Sequence, residues 1–146
     1  MSDGRVMGLD VGDRTVGVAI SDPTRLIAQG VTTIRRTTLP ADLVALKALV
    51  AEHEVTAIVV GWPLRLDGRP GEQARKVAQV AKAIEAATQL PVERFDERLT
   101  TVAAERALRE SALDGRGRRK LIDQVAASLI LQGWLDRART MAARLT

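Results

Sequence analysis

Apolar positions along this chain recur with two periods, and the switches between them divide it into strands and helices. Residues 6–11 are apolar or glycine except at Asp10, and residues 16–20 carry no polar side chain. Two such runs separated by a turn at Gly12 and Asp13 predict a hairpin. A third strand is expected over residues 27–34, with β-branched residues gathered at its end. Across residues 41–52, Leu43, Leu46, Leu49 and Val50 recur at helical spacing and form one stripe. Residues 55–60 return to a compact β-branched run, apolar on both faces, as suits the centre of a partly parallel sheet.

The loop GWPLRLDGRPGE then leads into a helix over residues 72–88, with Val77, Val80, Ala81 and Ile84 on its buried side. Residues 92–95 read as a short fifth strand that delivers Asp96 and Glu97. A helix over residues 100–113 follows, capped by Thr100 or Thr101, whose hydroxyl can accept from first-turn amides. DGRGRRK, residues 114–120, reads as a flexible basic connection, and a last helix is expected from near Leu121 to about Arg137.

A hairpin followed by alternating helices and strands indicates an α/β domain. Three antiparallel strands and two more reached through helical crossovers make a mixed five-stranded sheet flanked by helices. Right-handed crossovers restrict the strand order without deciding it. The length of 146 residues and 46% hydrophobic content fit one domain, residues 1–146, with an ordered core over about 5–137. Aromatics are 2% of the chain, with Trp62, Phe95 and Trp134 as the full set, so the core is aliphatic and stacking platforms are scarce.

Charge adds a partner class. With 22 basic against 18 acidic residues, a net charge of +4 and a pI near 10.3, a polyanionic partner is favoured over an acidic surface function. The absence of cysteine excludes disulfides and thiolate zinc sites. The opening MSDGR leads into no long apolar stretch, and no window approaches a membrane span, so a cytoplasmic protein with no membrane partner is expected.

Asp10, Glu97 and Asp123 each interrupt or terminate a hydrophobic element. Taken singly they have plain explanations: Asp10 and Asp13 as turn acids, and Asp123 as a helix-start acid favoured by the dipole. If the three converge, their mutual repulsion demands a cation. Carboxylate oxygens suit Mg²⁺ or Mn²⁺, and such ions can activate water against a phosphodiester. Glycines at 8, 12 and 17 clear side chains from the surrounding backbone and leave room for something bulky and charged.

The ordered set GLDVGDRTVGVAISD, VVGWPLRLDG, FDERLTT and KLIDQVAASLILQGWL resembles the YqgF family, also called RuvX or Holliday-junction-resolvase-like. The resemblance covers residue 5 to about residue 135. It implies a ribonuclease-H-like fold, a metal-dependent nuclease activity and processing of the 5′ end of precursor 16S ribosomal RNA in ribosome biogenesis. It also implies that Asp10, Glu97 and Asp123 are the catalytic, metal-holding acids. The wider resolvase family carries a glutamate at the end of its fourth strand, where this chain has Gly61, and Glu97 stands in for it.

Arg14, Arg65, Arg69 and Arg98 lie in or beside loops of the expected site, and Arg116, Arg118, Arg119 and Lys120 just before Asp123. All eight are candidates for holding substrate phosphates. Trp62 is either a base-stacking residue or a loop anchor, and Trp134 belongs to the core or to a subunit interface. Two rival readings stand beside the ribosomal RNA nuclease. A junction resolvase makes two symmetric cuts and calls for a homodimer. A non-catalytic RNA-binding assembly factor would have ribosomal particles as partners.

Overall fold

The computed structural model describes residues 4–65, 67–99 and 115–145. Strand β1 (Arg5–Val11) pairs antiparallel with β2 (Thr15–Ser21), in register from Met7 opposite Ile20 to Val11 opposite Val16. The Gly12 amide donates to the Thr15 carbonyl at 2.9 Å and closes the turn. β3 (Ala28–Arg35) continues the antiparallel meander. Helix α1 (Leu39–His53) starts where the Thr38 hydroxyl accepts from the Ala41 amide, and stops where Glu54 turns left-handed at φ 53°.

β4 (Val55–Trp62) and β5 (Val92–Asp96) run parallel to β1 and are connected by α2 (Glu72–Thr88). The sheet order is β3-β2-β1-β4-β5, which makes β1 the central strand. A short 3₁₀ turn (Glu97–Leu99) follows β5, and α3 (Gly115–Leu145) packs across the sheet.

Because strand side chains alternate between faces, the sheet separates two cores. Met7, Leu9, Val11, Val18 and Val60 face α1 and α2, where Leu46, Val77, Ala81 and Ile84 meet them. Val6, Ala19, Val59 and Phe95 face α3 and meet Ala126, Ala127, Ile130, Leu131 and Leu135. Among the described residues no helix is long and apolar enough to cross a membrane.

The last helix departs from expectation. It begins at Gly115 and runs to Leu145, so the stretch expected to be a flexible connection is helical from Gly115 onward. Arginine and lysine are good helix formers, and the penalty of about 1 kcal/mol for each of Gly115 and Gly117 is offset by the anchored apolar stripe that follows. The helix expected over residues 100–113, with its Thr100 or Thr101 cap, lies outside the described residues.

Candidate active site

Asp10 stands near the carboxyl end of β1, two residues beyond Gly8 and therefore on the α3 face. Its partner across the hairpin is Gly17. A Cβ built on Gly17 would lie 2.1 Å from the Asp123 carbonyl oxygen and 3.2 Å from the Asp123 Cβ. A Cβ on Gly8 would lie 2.6 Å from the Leu131 Cβ. These two glycines therefore seat helix α3 against bare strand backbone. The bulky group they were expected to admit is part of the chain itself, and it carries Asp123 to the strand pair that holds Asp10.

Asp123 lies two turns inside α3, too far from the helix start for the dipole to account for it. The Thr15 hydroxyl at the head of β2 donates to its Oδ2 at 2.5 Å and fixes the carboxylate over the hairpin. Glu97 arrives from the other side, in the turn directly after β5. A Cβ on Gly61 would lie 3.3 Å from the Glu97 Oε2 and 2.5 Å from the Ile130 Cδ1. Since β4 adjoins β1, with Val60 beside Leu9, that oxygen overhangs the strand next to Asp10. The three acids thus reach one end of one sheet face, over β2, β1 and β4. Among the described residues no three His, Cys, Asp or Glu side chains are spaced to hold a single ion.

The hairpin turn beside these acids is braced from behind. Arg36 donates through Nη1 to the Gly12 carbonyl at 2.8 Å and through Nε to Asp42 Oδ2 at 3.4 Å. The buried Asp42 also accepts from the Thr37 amide at 3.1 Å, while the Arg36 amide reaches the Arg14 carbonyl at 2.8 Å. Thr15, Arg36 and Asp42 escaped sequence reasoning. The one signal was an acid in the first turn of a Thr-capped helix just after an arginine pair.

The expected phosphate ligands have varied surroundings. Arg14 is exposed at the hairpin turn. Arg65 lies 3.8 Å from Asp67, and the Arg65 amide donates to the Arg69 carbonyl at 3.0 Å, so this loop folds on itself with both guanidinium groups in exposed residues. Arg98 grips Asp96 with Nε at 3.1 Å from both carboxylate oxygens and Nη2 at 2.7 Å from Oδ2. This hydrogen-bonded pairing holds the Asp96 carboxyl below its ordinary range and raises Arg98 above its own. The Arg98 guanidinium also covers Gly68, whose φ of +85° belongs to the left-handed region. Its charge is committed to tying the β4 loop to the end of β5. Arg116, Arg118, Arg119 and Lys120 fall in the first turns of α3, with their side chains outside the described residues.

The family model described as RuvX, Holliday junction resolvase, matches residues 4–137. A protein of Moorella thermoacetica named "Putative pre-16S rRNA nuclease" is 57% identical over 133 residues, 91% of this chain and 95% of that protein. One of the same name from Myxococcus xanthus is 52% identical over 135 residues, 92% and 89% of the two chains. Among solved structures, T. thermophilus RuvC in complex with Holliday junction substrate superimposes with a TM-score of 0.61 at 16% identity, covering 94% of this chain and 96% of that one. This last likeness establishes the ribonuclease-H-like fold.

Proposed function

This chain belongs to the RuvX family, and from that membership we propose that it is a nuclease that hydrolyses phosphodiester bonds in structured RNA, with the 5′ end of precursor 16S ribosomal RNA as its substrate. The observation that carries the reading is the Glu97 carboxylate, 3.3 Å from where a Gly61 side chain would begin. It supplies an acid at the end of β4 that β4 itself lacks, beside the strand of Asp10.

Asp10, Glu97 and Asp123 would hold Mg²⁺ or Mn²⁺, ions that take hard oxygen ligands and keep several waters, so these carboxylates fit them. When bound, such an ion lowers the pKa of its water and neutralises charge at the cleaved phosphate. The rest is done by the protein. Thr15 orients Asp123, and Arg36 with Asp42 braces the Gly12 turn. Arg14, Arg65 and Arg69, with Arg116, Arg118, Arg119 and Lys120, attract and position the phosphate backbone. The protein acts in the cytoplasm on ribosomal precursors.

The test is Glu97→Gln, which keeps size and removes charge. Wild type and variant are incubated with Mn²⁺ and an end-labelled precursor ribosomal RNA fragment, a DNA duplex or a four-way junction. Single-turnover cleavage should fall at least ~100-fold, about 3 kcal/mol, while the bound fraction changes only several-fold. Cleavage retained in the variant would remove Glu97 from the site. Firm RNA binding without metal-dependent cleavage by wild type would make the protein an assembly factor. A preference for the junction by a two-fold dimer would make it a resolvase.

A further inference from the structure

All three aromatic side chains of the chain, Trp62, Phe95 and Trp134, line one open groove of about 600 Å³ beside the edge strand β5 and the C-terminal part of α3. Phe95 belongs to the core beneath, while both indoles are half-buried. The two are held differently. Trp134 Nε1 donates to Glu93 Oε2 at 2.6 Å, the polar anchor expected of a packed tryptophan. Trp62 Nε1 is closed off without a hydrogen-bond partner, and the Arg94 guanidinium lies over its ring with Cζ 4.6 Å from the centroid. A tryptophan serving only to pin a loop would satisfy its N–H, because an unpaired buried donor is costly. What this site preserves is a cation seated over an aromatic face.

The charge of the lining points the same way. Its two acids are occupied, Glu93 by Trp134 and Asp96 by Arg98. Its two arginines, Arg94 and Arg137, make no ion pair among the described residues. The groove meets the acids only round the ends of β4 and β5, where Trp62 follows Gly61 on the opposite sheet face and Asp96 precedes Glu97.

Resting on the nuclease reading above, we propose that this groove takes an unpaired nucleotide of a strand that runs round the ends of β4 and β5 to the acids. Its base lies against the Trp62 and Arg94 pair, and its phosphate is held by Arg137. Bases inside a duplex have no free face to offer, so the groove selects substrates with a single-stranded segment running up to the acids. Stacking accepts any base.

Fluorescence anisotropy on the full chain tests this with labelled RNA hairpins that differ only in their end: blunt, with a short single-stranded overhang, or with the same overhang made abasic. DNA counterparts form a second set. The overhang should tighten binding about tenfold over the blunt end, and removing its bases should cancel most of that gain in both sets. Trp62→Ala and Arg94→Ala should abolish the preference while changing blunt-end binding less than about twofold, and Trp62→Phe, which keeps a stacking face, should retain it. The abasic ligand probes unaltered protein, so misfolded variants cannot obscure the result. An abasic overhang bound as tightly as the normal one overturns the proposal. So does a dimer that Trp62→Ala dissociates with equal loss for all ligands, which would make the groove a subunit interface. Overhang preference without cleavage leaves the groove standing and removes the nuclease reading; cleavage indifferent to overhang bases does the reverse.

Discussion

On the side of α1 and α2, β1 turns Met7, Leu9 and Val11 against Leu46, Val77 and Ile84, whereas towards α3 the same strand presents Val6, Gly8 and Asp10. β2 repeats the contrast, with Val16, Val18 and Ile20 on one side and Gly17 and Ala19 on the other. One face is held by aliphatic volume along its whole length. The other combines an apolar core around Ile130, Leu131 and Leu135 with clearance at Gly8 and Gly17, which brings the main chain of α3 onto the strands. That clearance is what lets a carboxylate stand on a central strand: the α3 face can keep Asp10 at its open end because the helix, not a layer of large side chains, sets the spacing there. Both faces carry a buried core, and the candidate chemistry lies on the second.

Substitutions should separate the two faces. Leu9 is fully buried on the aliphatic face, and Leu9→Ala should cost about 2–5 kcal/mol in a denaturant titration. Cleavage per folded molecule should stay within several-fold of wild type; a loss as deep as that of Glu97→Gln would show that the two faces are not independent. Gly17→Ala makes the opposite perturbation. Its new methyl meets main-chain atoms of Asp123, which cannot rotate away, so about 1–3 kcal/mol of strain is expected. Cleavage should fall well beyond the fraction unfolded, because Asp123 moves with the helix; a stable, fully active variant would break the clearance account.

Thr15→Val is a smaller change, removing only the hydroxyl that donates to Asp123. About 1 kcal/mol of stability is at stake, and calorimetric titration should show weaker Mn²⁺ binding than wild type. Unchanged affinity would mean that Asp123 needs no orientation to bind the ion.

The smallest effect lies at the other end of β2. The Asp22 carboxylate accepts from the Ile27 amide at 2.7 Å, from the Thr24 side chain, and from the Leu26 amide at 2.8 Å, which together hold its pKa far below the ordinary carboxylate range. Its contribution is present above the unfolded value of about 4 and declines as pH falls towards the depressed folded value. The difference in denaturation midpoint between wild type and Asp22→Ala should therefore be widest at neutral pH and shrink below about pH 4, with cleavage at neutral pH unaffected. A constant difference across that range would show that the loop is held by something other than the ionised carboxylate.

Much of the fold was legible because local periodicity reports which residues must be buried. The helix over Glu72–Thr88 was readable to its ends, and each of the five strands announced itself by a β-branched or apolar run. The start of α3 was not, since Gly115 and Gly117 look like a loop until the packing of the following turns pulls them into the helix. The acids stand out because each breaks an apolar element, whereas the sheet order that sets where their elements end could not be read from local pattern.

What this chain determined by sequence alone is a set of elements, the faces they bury and the residues able to carry charge into them. Order and proximity came from the tertiary structure. Pairing β4 with β1 placed Gly61 beside the strand of Asp10, and the crossing of α3 over Gly17 brought Asp123 to it. The same folding tied Arg98 to Asp96 and Arg36 to Asp42. A periodic pattern records how much of a side chain must leave water, a local property of its segment. Which neighbour it meets depends on strand order and helix register, which are settled only when all the apolar faces are buried at once.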